Sequence, residues 1–173
     1  MVTWNICWIL SDFRFPVKYT QKRNQMKAYT QHLFQWVWST KYHQPTLDPE
    51  GRAPLFAYIA GLLRKQNCFV HVVNGVENHV HVVSSLHPSK SVSGIIKDMK
   101  LATHAYISKS GILPRFNGWQ TGYGSFTYSK SALKSLICYV ENQKEHHRIK
   151  TFRDEFIDLL KEHDIEFDER YLL

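Results

Sequence analysis

The chain has 173 residues, with 22 Lys and Arg against 15 Asp and Glu, a formal charge of +7. Its composition, 43% hydrophobic and 21% charged, is that of one globular domain and excludes a wholly disordered chain, a collagen or a coiled coil. No apolar run approaches the ~20 residues that span a bilayer. The three cysteines, Cys7, Cys68 and Cys138, are odd in number and far apart, which argues against a disulfide framework or a paired-cysteine zinc site and points to a reducing cytoplasm. The positive charge favours an anionic partner without naming one.

Residues 1–25 carry scattered Trp, Phe and Pro, four basic residues and no clear period. Either Met26 is expected to be the natural start or residues 1–25 a loose extension, with an ordinary N-terminal arm as the plainer alternative, and the domain is expected over 26–173. Residues 31–40, aromatic and β-branched, predict a strand. Leu55, Tyr58, Ile59, Leu62 and Leu63 recur at helical spacing over 50–66. Residues 69–73 and 78–86 predict a hairpin around the turn signal Asn74-Gly75. Ser91 is placed to cap a helix reaching about residue 108. A Gly-rich loop over 111–124 precedes a short strand at 125–128. Ser129 or Ser131 is expected to cap a helix to about residue 147, and Thr151 another through residue 160. The order strand, helix, strand, strand, helix, strand, helix, helix predicts an α+β fold, an antiparallel sheet flanked by helices.

The sharpest chemical feature is His79-Val80-His81. Alternate residues of a strand share a face, so both imidazoles point one way while Val80 points into a core. Two imidazoles side by side supply part of a metal site; the plainer alternative is a histidine pair on a solvated strand face. A histidine-triad hydrolase would need a third His at Val83. A two-histidine phosphoesterase would need Ser or Thr at Val73 and His81. No helical His pair four apart with a Glu is present for a zincin. An RNA-recognition sheet would carry aromatic residues in place of His-x-His.

A second feature is Tyr139 and Gln143, four residues apart on one helical face. They lie at the edge of the apolar stripe Ala132, Leu133, Leu136, Ile137 and Val140, where they would border the sheet. Alone they read as a boundary Tyr and an exposed Gln. Together with the histidines they form a phosphodiester chemistry set. Two imidazoles and an amide oxygen leave a divalent cation open positions, and a tyrosine can attack phosphorus in line.

At this point the chain resembles the HUH-type single-tyrosine transposases of the insertion sequence 200/605 type. The resemblance runs from about Tyr29 to the C-terminus. It rests on four blocks: Asn78-His79-Val80-His81 after Asn74-Gly75-Val76-Glu77; residues 118–126, from Gly118-Trp119-Gln120 to Phe126; residues 139–147, from Tyr139 through Gln143 to His146-His147; and the tail 160–172. It implies a HUH endonuclease, ferredoxin-like sheet with the catalytic Tyr on a late helix. It implies Tyr139 as nucleophile, His79, His81 and Gln143 as metal ligands, and Mg2+ or Mn2+ as the metal. It implies cutting and rejoining of single-stranded DNA at insertion-sequence ends through a 5′-phosphotyrosine, hairpin recognition near those ends, a homodimer, and work at the nucleoid of a prokaryotic cytoplasm. The alternative is a catalytically silent, domesticated hairpin binder. Lys97, Lys100, Arg115, Trp119, Tyr123 and His146 are expected DNA contacts, with loop-stapling as the rival role for the two aromatics. Asp164 stands where a helix-ending Gly is usual, and Asp tolerates the left-handed conformation.

Overall fold

A computed structural model describes residues 29–172; the expected extension 1–25 and the start at Met26 lie outside them. The compact unit Gln31–Leu173 contains four strands, β1 (Leu33–Ser39), β2 (Phe69–Gly75), β3 (His79–Ser85) and β4 (Gly124–Thr127), in the order β2-β3-β1-β4. Every pairing is antiparallel. Five helices accompany them: α1 (Pro49–Lys65), α2 (Val92–Ser110), α3 (Leu133–Glu141), α4 (Gln143–His146) and α5 (Phe152–Glu162). The expected α+β sheet flanked by helices is therefore the fold. Among the described residues, no helix is long and apolar enough to cross a membrane.

Strand alternation divides the core in two. Trp36, Trp38, Val80 and Val82 face α1 and α2, packing with Leu55, Ile59, Leu63, Ile95, Ile96 and Met99. The intervening residues face the other way. Val37 and Phe126 meet Phe152, Phe156, Leu159 and Leu160 of α5, while Leu33 and Val83 meet Leu136 and Val140 of α3. His79 and His81 belong to this second face and are fully buried, so the solvated-strand alternative does not hold. At nine residues α3 is too short to be stable alone. Burying Leu136 and Val140, about 1.5–3 kcal/mol for each such side chain, holds it on the sheet.

Three local expectations are corrected. Asn74 and Gly75 do not make the hairpin turn; they end β2, opposite His81 and Val80, and the turn follows. Gly75 is needed because a Cβ there would collide with the His79 carbonyl oxygen. Neither Ser129 nor Ser131 caps α3. Their hydroxyls bond one another at 2.7 Å, and a 3-10 turn leads into the helix. The single helix expected to residue 147 is interrupted at Asn142 (φ −91°, ψ 16°). Asn142 Nδ2 donates to its own helix at Cys138 O, 2.8 Å, the local competition that loosens helices at Asn. Asn74 Nδ2 then donates to the Val140 and Glu141 carbonyls, at 2.8 and 3.0 Å, satisfying acceptors at the helix end.

Other expectations stand. The Ser91 side chain accepts from Gly94 N and Thr151 from Asp154 N, the usual N-cap geometry. Asp164 takes the left-handed conformation, φ 52°.

Candidate active site

β3, α3, α4 and α5 converge on one buried cluster. β3 is an interior strand, so His79 and His81 are fixed from both sides by its ladders. Their rings are 4.9 Å apart and nearly perpendicular. α3 brings Tyr139, whose ring stands edge-on to His81 at 6.0 Å. Across the break at Asn142, Gln143 is fully buried, with Oε1 at 3.3 Å from His79 Nε2. The three expected ligands and the tyrosine are thus together, as the i, i+4 spacing implied, although the helix between them is interrupted.

Glu155 of α5, which no motif singled out, sits at the centre. It is 1% exposed. Its Oε1 accepts from the Tyr139 hydroxyl and from Gln143 Nε2 at 2.8 Å. Its Oε2 lies 3.4 Å from His79 Nε2, 3.3 Å from His81 Nε2 and 3.0 Å from His147 Nε2. His146, expected to touch phosphate, has Nε2 at 3.7 Å from Glu155 Oε1 and its ring 5.3 Å from Tyr139. His147 lies deeper. Its ring is 4.5 Å from that of His79, and its Nδ1–H donates to Lys150 O at 2.8 Å. A signal for Glu155 existed in the sequence. It falls on the stripe Phe152, Phe156, Leu159 and Leu160, and a carboxylate on a buried apolar stripe requires a partner.

The proton inventory supports a cation site. Burial lowers the pKa of His79 to about 4, so the ring is neutral near pH 7. Its one proton is assigned to Nδ1, which makes the shorter contact, to Asn78 Oδ1 at 2.8 Å. Nε2 therefore turns a lone pair towards Gln143 Oε1 and Glu155 Oε2, both acceptors. Gln143 cannot relieve this, because its amide nitrogen already donates to Glu155. His81 Nδ1 accepts from Gln35 Nε2 at 2.9 Å, while Gln35 Oε1 accepts from the Tyr128 hydroxyl at 2.8 Å. That arrangement leaves His81 Nε2 buried with no hydrogen-bond partner among the described residues. Turning the Gln35 amide over would place the proton on Nδ1 and free Nε2 as a ligand, with Tyr128 becoming the acceptor. The donor set of imidazole nitrogen, amide oxygen and carboxylate fits a divalent cation.

Burial first, then the charge of Glu155, raises the Tyr139 pKa well above the usual phenol value. The Glu155 carboxyl is held below its ordinary range: burial alone would raise it, but His81 first and then His147 outweigh that.

Two predictions arise from these contacts. Gln35→Leu keeps the volume but removes the group that sets the His81 tautomer. It is expected to weaken Mn2+ binding about 10–100-fold, as loss of an orienting partner does, measured by calorimetric titration. In EDTA, lowering the pH from 7 to 5 is expected to cost about 2 kcal/mol of unfolding free energy. Unfolded His79 takes up its proton near 6.5 and folded His79 only near 4, so the unfolded state binds more protons across that window. The depressed Glu155 adds its own loss only below its unfolded value near 4.5. Urea melts at the two pH values measure the difference.

The expected DNA contacts divide. Lys97 is exposed and Lys100 half-buried on α2, whose core side chains pack on the opposite sheet face from the histidines. Lys100 Nζ donates to Gln120 O at 2.9 Å and to Gly122 O, tying down the Gly-rich loop, and burial lowers its pKa to about 8. Arg115 pairs with Asp48. Trp119 Nε1 donates to Thr103 Oγ1 at 2.9 Å, and its ring packs on Trp38 and Phe116. Tyr123 is partly buried against the same core. For both aromatics the contacts are those of loop-stapling.

The family model for IS200-like transposases matches residues 28–143, well over half the chain. The chain belongs to the IS200-like transposase family. The match takes in His79, His81, Tyr139 and Gln143 and stops short of Glu155. Two solved structures share this family member's fold. One is a candidate transposase from Deinococcus radiodurans R1, with TM-score 0.54, 20% identity, and coverage of 68% of this chain and 95% of that one. The other is a REP-associated tyrosine transposase bound to a REP hairpin, with TM-score 0.51, 14% identity, and coverage of 70% and 74%. Comparison with curated proteins gives no match.

Proposed function

We propose that this chain is a metal-dependent transposase that cuts and rejoins single-stranded DNA through a 5′-phosphotyrosine on Tyr139. The observation carrying this reading is the convergence of Tyr139, His79, His81 and Gln143 on one buried cluster. His79, His81 and Gln143 would hold Mg2+ or Mn2+. When bound, the ion supplies Lewis-acid stabilisation of a non-bridging phosphate oxygen and offsets negative charge beside the phenol.

The chain's own residues do the rest. Tyr139 is a neutral phenol whose hydrogen is directed at Glu155. Its oxygen attacks phosphorus, and the bond from phosphorus to the 3′ oxygen breaks, its electron pair staying on that oxygen. The phenol proton leaves along its hydrogen bond to Glu155 and goes on to solvent, and the leaving oxygen takes a proton from solvent to become a 3′ hydroxyl, so the proton count balances. Attack by such a hydroxyl on a second phosphotyrosine reseals DNA with no outside energy source. A homodimer would bring two such sites together for strand exchange. A hairpin is the proposed recognition element, in keeping with the hairpin-bound relative and the basic chain.

The test is covalent trapping. Full-length protein, Mg2+ and end-labelled single-stranded oligonucleotides from both flanks of its gene are resolved on a denaturing gel. A label-shifted protein band that EDTA removes is the expected result. Hairpin binding with no such band on authentic ends would instead support the silent-binder reading.

A further inference from the structure

We infer that Glu155 is itself a metal ligand through Oε2, and that through Oε1 the same carboxylate positions both Gln143 and Tyr139 against the metal. This rests on the metal site proposed above and adds the C-terminal helix α5 to it. Four observations carry it.

The first is spacing. Ligand atoms of His79, His81, His147 and Glu155 all lie within 4.8 Å of one another. With metal–oxygen bonds of 2.0–2.1 Å, adjacent ligands of an octahedral ion stand about 3.0 Å apart and opposite ones about 4.2 Å. The contacts of Oε2 to the three imidazole nitrogens, 3.0 to 3.4 Å, need little adjustment to become ligand edges.

The second is charge. His79, His81 and Gln143 are neutral ligands and leave a divalent ion uncompensated in a buried place. One carboxylate removes half of that charge, and hard divalent ions such as Mg2+ select oxygen anions.

The third is orientation. Gln143 presents its amide oxygen to His79 because its nitrogen donates to Glu155 Oε1 at 2.8 Å. The Tyr139 hydroxyl donates to the same oxygen. One carboxylate therefore fixes an expected ligand and the expected nucleophile relative to a common centre.

The fourth is how α5 is held. Phe152 stacks on the His79 ring, centroids 4.4 Å apart and planes 25° apart. A Cβ on Gly124 would stand 2.7 Å from the Phe156 ring, so glycine in β4 lets the helix approach. The rival account is a buried ion cluster that only stabilises the fold.

The test uses Mn2+ alone as probe, titrated into full-length, EDTA-stripped protein and followed by the electron paramagnetic resonance of free Mn2+. Wild type, Glu155→Gln, Glu155→Asp and His79→Ala are compared. Glu155→Gln is expected to bind Mn2+ about tenfold more weakly or worse, with Glu155→Asp between it and wild type. If His79→Ala loses Mn2+ while Glu155→Gln stays within about twofold of wild type, Glu155 is no ligand and the three-ligand site stands. If wild type takes up no Mn2+, the metal site and this inference fall together. Should Glu155→Gln not fold, Glu155→Asp decides by the rise in melting temperature that Mn2+ gives: a reduced rise supports ligation and a wild-type rise overturns it.

Discussion

Tyr139→Phe is expected to abolish the covalent DNA adduct, by about a thousandfold or more, while Mn2+ affinity and hairpin affinity stay near wild type. The substitution removes one atom, the oxygen that would attack phosphorus. The phenyl ring keeps its place edge-on to His81 and His146. Glu155 loses one donor but keeps Gln143 Nε2 and the imidazoles around it, so the structural cost is that of one hydrogen bond to a charged group, about 1.5–3 kcal/mol. A melting curve separates that cost from the chemical loss. A nucleophile removed outright gives an effect of many decades, because no other group in the site replaces it. The informative contrary result is a surviving adduct. The first suspect would then be Tyr128, whose hydroxyl lies in the same network through Gln35, and peptide mapping of the labelled band would identify it.

The part of this site that was legible in sequence is the part governed by local periodicity. His-x-His on a strand fixes two rings on one face whatever the fold, and four residues on a helix bring Tyr139 and Gln143 together even across the interruption at Asn142. The caps at Ser91 and Thr151 are likewise local. What was not legible depends on packing between distant segments. Glu155 reaches the histidines only because α5 crosses β4 at Gly124 and lays Phe152 against His79. His147 enters because its neighbour Lys150 offers a carbonyl to its Nδ1. Neither is singled out as a site residue by spacing alone. The sheet order β2-β3-β1-β4 was also beyond local reading, and with it the fact that β3 is interior and its histidines are buried. Lys100 shows the converse case. Its spacing from Lys97 resembles a phosphate stripe, and the structure adds a loop whose Gln120 and Gly122 carbonyls accept from the ammonium. Spacing states which side chains share a face and says nothing of what comes to cover that face.

His79→Ala is expected to have the second largest effect, loss of metal-dependent cleavage by about a hundredfold or more together with a weaker dependence of stability on acid. The ring is fully buried between β3, Gln143 and Phe152, and its Nε2 faces Gln143 Oε1 and Glu155 Oε2. Without it the ion loses one of its imidazole ligands and the edge that Gln143 faces. Cavity formation will also lower stability, by about 2–4 kcal/mol at neutral pH on the scale of other large-to-small core changes. Stability in EDTA distinguishes the two roles. Wild type should weaken from pH 7 to pH 5 because folding keeps His79 neutral against its ordinary value. The variant has no such ring to charge, so its urea midpoint should be flatter over the same interval although it starts lower. If the variant kept the wild-type slope, another group would own the acid sensitivity and His79 would titrate near its ordinary value in the folded protein. Below that value its Nε2 would be an N–H donor to Gln143 and Glu155 in the metal-free state. A metal would bind only by displacing that proton, and Mn2+ uptake by wild type would weaken steeply as the pH fell.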